Sequence, residues 1–383
     1  MADVRRRRQW ACTGALCAGV LLAVGALAPA AGAAPYDPPP QPAVPLTTLL
    51  SRLQSLYLQT ESATEAYDQA KQVADEQRAK ARTVDRQLAQ QRVKVAASRD
   101  EVALLANRMY QQGGLSPYLA LLDGGSPQDF FGRQHVLERS AQHQKDVLAE
   151  LSAGERRLST LNTQAQQALD KAQHAQAVQS ARKNQVESSL RQVEAALSGL
   201  TGVQVQELQT LEQRGEDQAQ RDFMDAKPLG DDPALRSPSA VGARALDFAF
   251  EQLGKPYVWG AAGPNAFDCS GLTSQAWAHA GTVVPRTSQE QWARLPHVPL
   301  VLLRPGDLVV YFAKATHVAL YIGDGLVIQA PRPGSVVKVS PIAANPVLGA
   351  VRPDMGAASL THYQPHSVPK SARLPTPIGT TKL

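Results

Sequence analysis

A chain of 383 residues is long enough for more than one domain, and an aromatic content of 5% is low for a single uniform globular core. Three of the four tryptophans follow residue 240, whereas the middle is rich in Ala, Gln and Arg, which points to a helical module followed by a globular one. The formal net charge of +5 includes Arg5 to Arg8, so the remainder is near neutral and nucleic acid is not an expected partner.

Residues 1–33 read as an export signal. Arg5 to Arg8 form a positive start, Ala11 to Leu27 an apolar stretch, and Ala31-Gly32-Ala33 a small-residue cleavage site. Pro29 interrupts the apolar run, which argues against a permanent anchor, and Leu16 sits badly for lipidation at Cys17. The arginines leave the general and the twin-arginine export routes both open. The expected location is therefore outside the cell. Once Cys12 and Cys17 leave with the signal, Cys269 is the remaining thiol and has no internal disulfide partner. Such a thiol is either a buried accident or a working nucleophile.

A Pro-rich spacer follows at 34–45, unable to continue a helix. An apolar heptad seam then runs from Leu53 through Leu56, Ala63, Tyr67, Ala70, Ala74, Leu88 and Val95 to Leu105 and Met109, without Pro or Gly. That predicts a helix on the order of 85 Å long. Gly113-Gly114 ends it, an apolar tip follows at 116–126, and Pro127 suits the first turn of a second helix capped by Ser126. Its seam passes through Leu137, Val147, Leu151, Leu158, Leu161 and Ala165, and returns at Val186, Val193 and Leu200. Together 46–215 reads as an antiparallel coiled-coil hairpin, with pairing between chains as the runner-up. His135, His143 and His174 lie on it as solvated positions without metal-ligand spacing.

Residues 216–238 lose periodicity and read as a linker, and 354–383, rich in Pro, Ser and Thr, as a disordered tail. Between them, 239–353 alternates from helices to strands. Helices are expected before Gly254, from Cys269 to before Gly281, and from Thr287. Strands are expected at 308–312, 317–322, 326–330 and 336–340, an α+β domain.

The chemistry concentrates in this last domain. Asp268 is a good helix cap, which puts Cys269 in a first turn where free N–H groups and the helix dipole favour a thiolate. A thiolate needs a base held by a third group. In a hairpin centred on Gly323, His317 faces Gln329, whose amide oxygen can accept the Nδ1–H and leave Nε2 to the thiol. Val318, Leu320, Leu326 and Ile328 then share the core face. His279 and His297 lack such an acceptor and read as surface residues. No H-E-x-x-H run supports a metalloprotease, and no metal or cofactor is expected.

These residues carry a resemblance. Gly254-Lys255-Pro256-Tyr257-Val258-Trp259-Gly260, Phe267-Asp268-Cys269-Ser270-Gly271-Leu272, Pro285-Arg286-Thr287-Ser288, Arg304-Pro305-Gly306-Asp307-Leu308-Val309 and His317-Val318-Ala319-Leu320-Tyr321-Ile322-Gly323 together resemble the NlpC family of papain-like cell-wall peptidases. The resemblance implies a small papain-like fold, Cys269, His317 and Gln329 as catalytic residues, and Tyr257, Asp268 and Ser270 beside the substrate. It implies cleavage of peptidoglycan stem peptides, by family habit between D-γ-glutamate and meso-diaminopimelate. Gln329 is a less common choice at the third catalytic position. The outer organisation is similar to actinobacterial Rip-type hydrolases, whose coiled coil docks a membrane or divisome regulator or restrains the enzyme. A same-fold amidase and a coiled-coil activator that only binds wall are the alternatives.

Overall fold

The computed structural model describes residues 45–111, 127–232 and 236–373. The export signal, nearly all of the Pro-rich spacer and the apolar tip of the hairpin lie outside these residues.

The heptad seam folds as a pair of long helices, α1 (Leu46–Gln111) and α2 (Pro127–Ser198). They run antiparallel: Arg99 pairs with Glu155, while Ala63, earlier on α1, packs on Val186, later on α2. The seam residues Leu53, Leu56, Ala63, Ala70, Ala74, Leu88 and Val95 are buried, and many are alanines that let the backbones approach. His135, His143 and His174 are exposed.

Residues beyond 198 depart from expectation. Helix α2 stops at Ser198, and Thr201 caps a third helix, α3 (Gly202–Asp225), by a reciprocal capping box with Gln204. The helix thus runs through ten residues that read as linker. Its apolar side is too short to declare a period, and what fixes it is tertiary. Leu208 is buried against the hairpin, and Phe223 and Met224 pack on the C-terminal sheet. Gln220 donates to Gly325 O and accepts from Ala343 N, each at 3.1 Å.

In the C-terminal domain, α4 (Ala240–Glu251), α5 (Cys269–His279) and α6 (Ser288–Arg294) start at the side-chain caps Ser239, Asp268 and Thr287. The strands are β1 (His297–Val298), β2 (Leu308–Tyr311), β3 (His317–Gly323), β4 (Leu326–Gln329), β5 (Lys338–Pro341) and β6 (Val347–Val351). They form an antiparallel sheet in the order β1-β6-β2-β3-β4-β5. Strands β1 and β6 were not expected, because each is completed by pairing far along the chain.

Alternation sorts the two faces of the sheet. Leu308, Val310, Val318, Leu320 and Ile328 pack with Ala245, Ala249, Leu272 and Trp277 of α4 and α5. Val309, Tyr311, Ala319, Tyr321 and Val327 turn to the other side and meet Phe223 and Met224 of α3. With both faces covered, the strands read as continuous apolar runs.

The β3–β4 hairpin corrects the expected register. Leu320 lies opposite Ile328 and Tyr321 opposite Val327, with a bulge before Gly323 and positive φ at Asp324 and Gly325. The turn therefore sits one residue later than Gly323, which shifts every pair by two. His317 and Gln329 are not directly opposed, but a shift of two keeps both on one face.

The expected disordered tail is ordered as far as Arg373. Asp354 accepts from Ser239 and pairs with Arg304 at 3.0 Å, Leu360 N donates to Pro238 O, and the His366 ring stacks on Phe250. Polar partners replace the apolar period that the segment lacks. Asp354→Ala should therefore lower stability by about 2 kcal/mol, since Arg304 and the α4 cap each lose a buried partner. Chemical denaturation of the two proteins measures this, and an unchanged midpoint would mean that the segment is passive.

Candidate active site

Asp268 begins the site. Its backbone is extended, its carboxylate accepts from Gly271 N at 2.6 Å, and α5 starts at Cys269. Gly271 has to be glycine because a Cβ there would stand 2.2 Å from Ala261 O, so the 261 loop can close over the helix start. Arg286 grips the same carboxylate at 3.0 and 2.6 Å and also donates to Ser270 Oγ at 2.9 Å. The cap is thereby tied to the segment that leads into α6.

Strand β3 delivers His317 and Val318 to this helix start. The Val318 backbone N–H points at the Cys269 sulfur, and His317 Nε2 and Gln329 Oε1 are 2.6 Å apart. The expected acceptor is right, but the nitrogen is the other one. Because Gln329 comes from a strand shifted by two residues, it reaches Nε2 and leaves Nδ1 on the cleft side. Tyr257 is buried nearby, with a phenol pushed up by burial and by the neighbouring Cys269 and Asp268. All six residues expected at the site, Tyr257, Asp268, Cys269, Ser270, His317 and Gln329, are thus in one place. His279 and His297 are exposed and apart from it.

Into this cleft comes α1. Glu61, Glu65 and Asp68 stand at i, i+4 and i+7, one face of the helix and away from its coiled-coil seam. Glu65 Oε1 accepts from Ser270 Oγ at 2.9 Å and from the Cys269 thiol at 3.4 Å, and Glu65 Oε2 accepts from Ser288 N at 2.8 Å. Glu61 Oε1 lies 3.5 Å from His317 Nδ1, and Asp68 Oδ2 lies 3.2 Å from Arg286. Tyr67 meets Trp259 edge-on with centroids 4.9 Å apart. Gly260, at φ +71°, has no Cβ to collide with Tyr67 and Asp68, whose atoms would stand 3.1 and 3.3 Å away. Cys269 is 3% exposed and His317 0%, so a substrate cannot reach them in this arrangement.

Two anchors outside the cleft hold the helix down. The Arg332 guanidinium lies 4.5 Å over the Tyr57 ring of α1 and is gripped on two atoms by Glu212 of α3. Leu53 and Leu56 are buried with Leu208 of α3.

Burial sets the electrostatics. It pushes the Cys269 thiol well above its ordinary value, with Glu65, Asp268 and Glu61 adding to the rise. The thiolate expected from the helix start is therefore not the favoured form here. The dipole is outweighed first by burial and then by Glu65, Asp268 and Glu61. Burial also lowers His317 to about 4, against the opposing hydrogen bond to Gln329. Burial and the Asp268 charge raise Glu65 to about 7, while the Ser288 N–H and Ser270 hydroxyl pull it down. Asp68 is raised to about 9 by burial and Asp268, against Arg286.

Sequence reasoning missed the acidic face. Acidic residues outside a heptad seam usually face solvent, and only their spacing on a single helix face marked them. Arg286 and Ser288 stood in a quoted motif without a role.

Residues 254–350 match the NlpC/P60 family model. A probable endopeptidase of Corynebacterium glutamicum is 43% identical over 124 residues, which are 32% of this chain and 59% of that protein. A probable endopeptidase of Mycobacterium tuberculosis is 37% identical over 123 residues, 31% of this chain and 32% of that one. The crystal structure of the NlpC/p60 domain of the peptidoglycan hydrolase SagA is 32% identical, with a TM-score of 0.28, covering 29% of this chain and 97% of that domain. The chain thus spans less than two thirds of either relative's length. With Cys269, His317 and Gln329 all inside the match, residues 254–350 of this chain are an NlpC/P60 family domain.

Proposed function

We propose that this protein is a secreted peptidoglycan endopeptidase that cuts stem peptides through Cys269, His317 and Gln329, and that α1 holds it shut. The observation that supports the chemistry most directly is a thiol in the first turn of α5 that receives the Val318 N–H, with the preceding residue, His317, bound to an amide oxygen. Once α1 is out, Cys269 and His317 form a thiolate–imidazolium pair. The thiolate attacks the amide carbonyl, and the C–N bond breaks as His317 passes a proton to the leaving amine. Water, deprotonated by His317, then hydrolyses the thioester. The Cys269 backbone N–H, free at the helix start, contributes to the oxyanion hole. Neutral Gln329 orients the ring without stabilising the imidazolium as a carboxylate would.

The bond cut is that between D-γ-glutamate and meso-diaminopimelate, and the setting is wall remodelling or daughter-cell separation. A substrate carboxylate would find in Ser270, Ser288 N and Arg286 the donors that now hold Glu65 and Asp68. Mass spectrometry of digested sacculi tests the bond. A new amine on the diamino acid is expected, and an amine on L-alanine would instead identify an amidase.

Cys269→Ala and His317→Ala should each lower wall hydrolysis roughly 10³-fold or more, because nucleophile and base act as a unit. Gln329→Ala should cost less, since packing still holds the ring. Full activity in Cys269→Ala would leave a wall-binding or activator role in place of an enzyme.

Restraint by α1 is read from the buried thiol and imidazole. Glu65→Lys sets a like charge against Arg286 and should raise the rate of the full chain on sacculi about tenfold or more. A fragment of residues 236–373 should match or exceed that rate. If neither gains over the chain from residue 34 to 383, the hairpin is a tether. The natural release would come from a membrane or divisome partner at the far end of the hairpin.

A further inference from the structure

We infer that the seating of α1 on the active site is proton-gated: its acidic face is held in the cleft in acid and expelled as pH rises through neutrality. The restraint proposed above is what the gate acts on.

The geometry is that of carboxylates crowded in a site closed to water. Glu61, Glu65 and Asp68 are 7%, 2% and 2% exposed, and they face a fourth carboxylate, Asp268, which is fully buried. The other groups of the cleft do not supply matching positive charge. Arg286 is shared between Asp268 at 2.6 Å and Asp68 at 3.2 Å. Arg332, from the loop after β4, is bound by Glu212 of α3, with Glu216 and Lys338 also near it, and it offsets the charge of Glu61 only in part against burial and Glu65. The Cys269 thiol and Tyr257 phenol are neutral neighbours whose ionisation burial opposes. His317 is the titratable base that stands directly against Glu61, and its Nδ1 makes no hydrogen bond. Glu61 Oε2 likewise has no hydrogen-bond partner. A carboxylate left so is more stable with a proton than without one.

The sign follows from which state binds more protons. Out in water, the three side chains return to ordinary carboxylate values near 4. In the cleft, Glu65 titrates near 7, Asp68 near 9 and Glu61 well above its usual value. The closed state therefore holds protons that the open state has lost, so closure weakens with rising pH from about 4.5 up to about 9. His317 acts the other way, because burial lowers it to about 4. Between about 4.5 and 6.5 the open state carries the imidazolium proton that the closed state lacks, which cancels one carboxylate. Above about 6.5 the Cys269–His317 pair holds one proton in both states, on sulfur when closed and on the imidazole of the ion pair when open, so the carboxylates act unopposed. The release should therefore steepen near neutrality.

The gate can be read without the reaction. Gln59 on α1 and Lys314 before β3 line one cleft of about 420 Å³ between helix and domain. Spin labels at Gln59→Cys and Lys314→Cys, in the chain from residue 34 with Cys269→Ser, report their separation. Serine keeps a hydroxyl donor for Glu65. A short distance is expected at pH 5, with the closed-to-open ratio falling at least about tenfold between pH 6.5 and 8.5. Glu61→Gln, Glu65→Gln and Asp68→Asn together should hold the short distance across that range, because amides are neutral at every pH. A short distance at all pH values in the unsubstituted helix overturns the gate while leaving the restraint. A long distance at all pH values overturns the restraint and the gate with it. A triple variant that still opens with pH, or that is open throughout, also overturns the gate, since neutrality of these side chains is then not what seats the helix.

Discussion

Everything distinctive in this molecule depends on one carboxylate, that of Glu65, lodged between the start of α5 and the start of α6. Its two oxygens take the Ser270 hydroxyl, the Cys269 thiol and the Ser288 N–H, three donors that an empty cleft would turn to water or substrate. Removing a carboxylate from water is costly, and three more crowd it. The helix stays because it is fastened elsewhere. Tyr67 against Trp259, Arg332 between Tyr57 and Glu212, and the seam residues against α2 and α3 offset what the acidic face loses. An interface assembled from a costly centre and favourable flanks is poised between two states, because modest changes at either part decide the balance.

The strap helix α3 has a part in this that its sequence concealed. It touches α1 through Leu208, the loop after β4 through Glu212, and the far side of the sheet through Gln220, Phe223 and Met224. The hairpin is therefore not joined to the domain by loose chain. Movement of α1 out of the cleft has to be accommodated at Arg332 or at the α2–α3 break near Leu200, where a single unwound step separates two helices.

Much of the site was legible because its signals are local. A capping Asp before a thiol, a capping Thr before α6 and a histidine opening a β-run are each decided within a few residues. Even the His317–Gln329 partnership survived an error in the turn, because a shift of two preserves the face on which both stand. What escaped was non-local. Strands β1 and β6 exist only as partners of each other and of β2, residues 216–225 are helical through contacts with a sheet formed a hundred residues later, and 354–373 is ordered by ion pairs and by unperiodic apolar contacts of Tyr363, Val368 and Ala372 with the core. The acidic face of α1 belongs with these. Within its own helix it is an ordinary polar face, and only the fold of the last domain turns it into the occupant of a cleft.

The electrostatics of that occupant also bear on how catalysis begins. With α1 seated, burial above all, with the Asp268 carboxylate beside it, holds the proton on Cys269, while burial keeps it off His317. Both effects disfavour the ion pair that the proposed reaction needs. Withdrawing the helix removes Glu61 and Glu65 and admits water. The penalty on a thiolate then falls, and the helix dipole and the Val318 N–H regain their influence. Over the same step the imidazole recovers toward its ordinary basicity. The proton can then pass from sulfur to nitrogen. On the proposed mechanism one movement uncovers the Cys269 thiol and charges it, so partial displacement of α1 that admits no water would expose little activity.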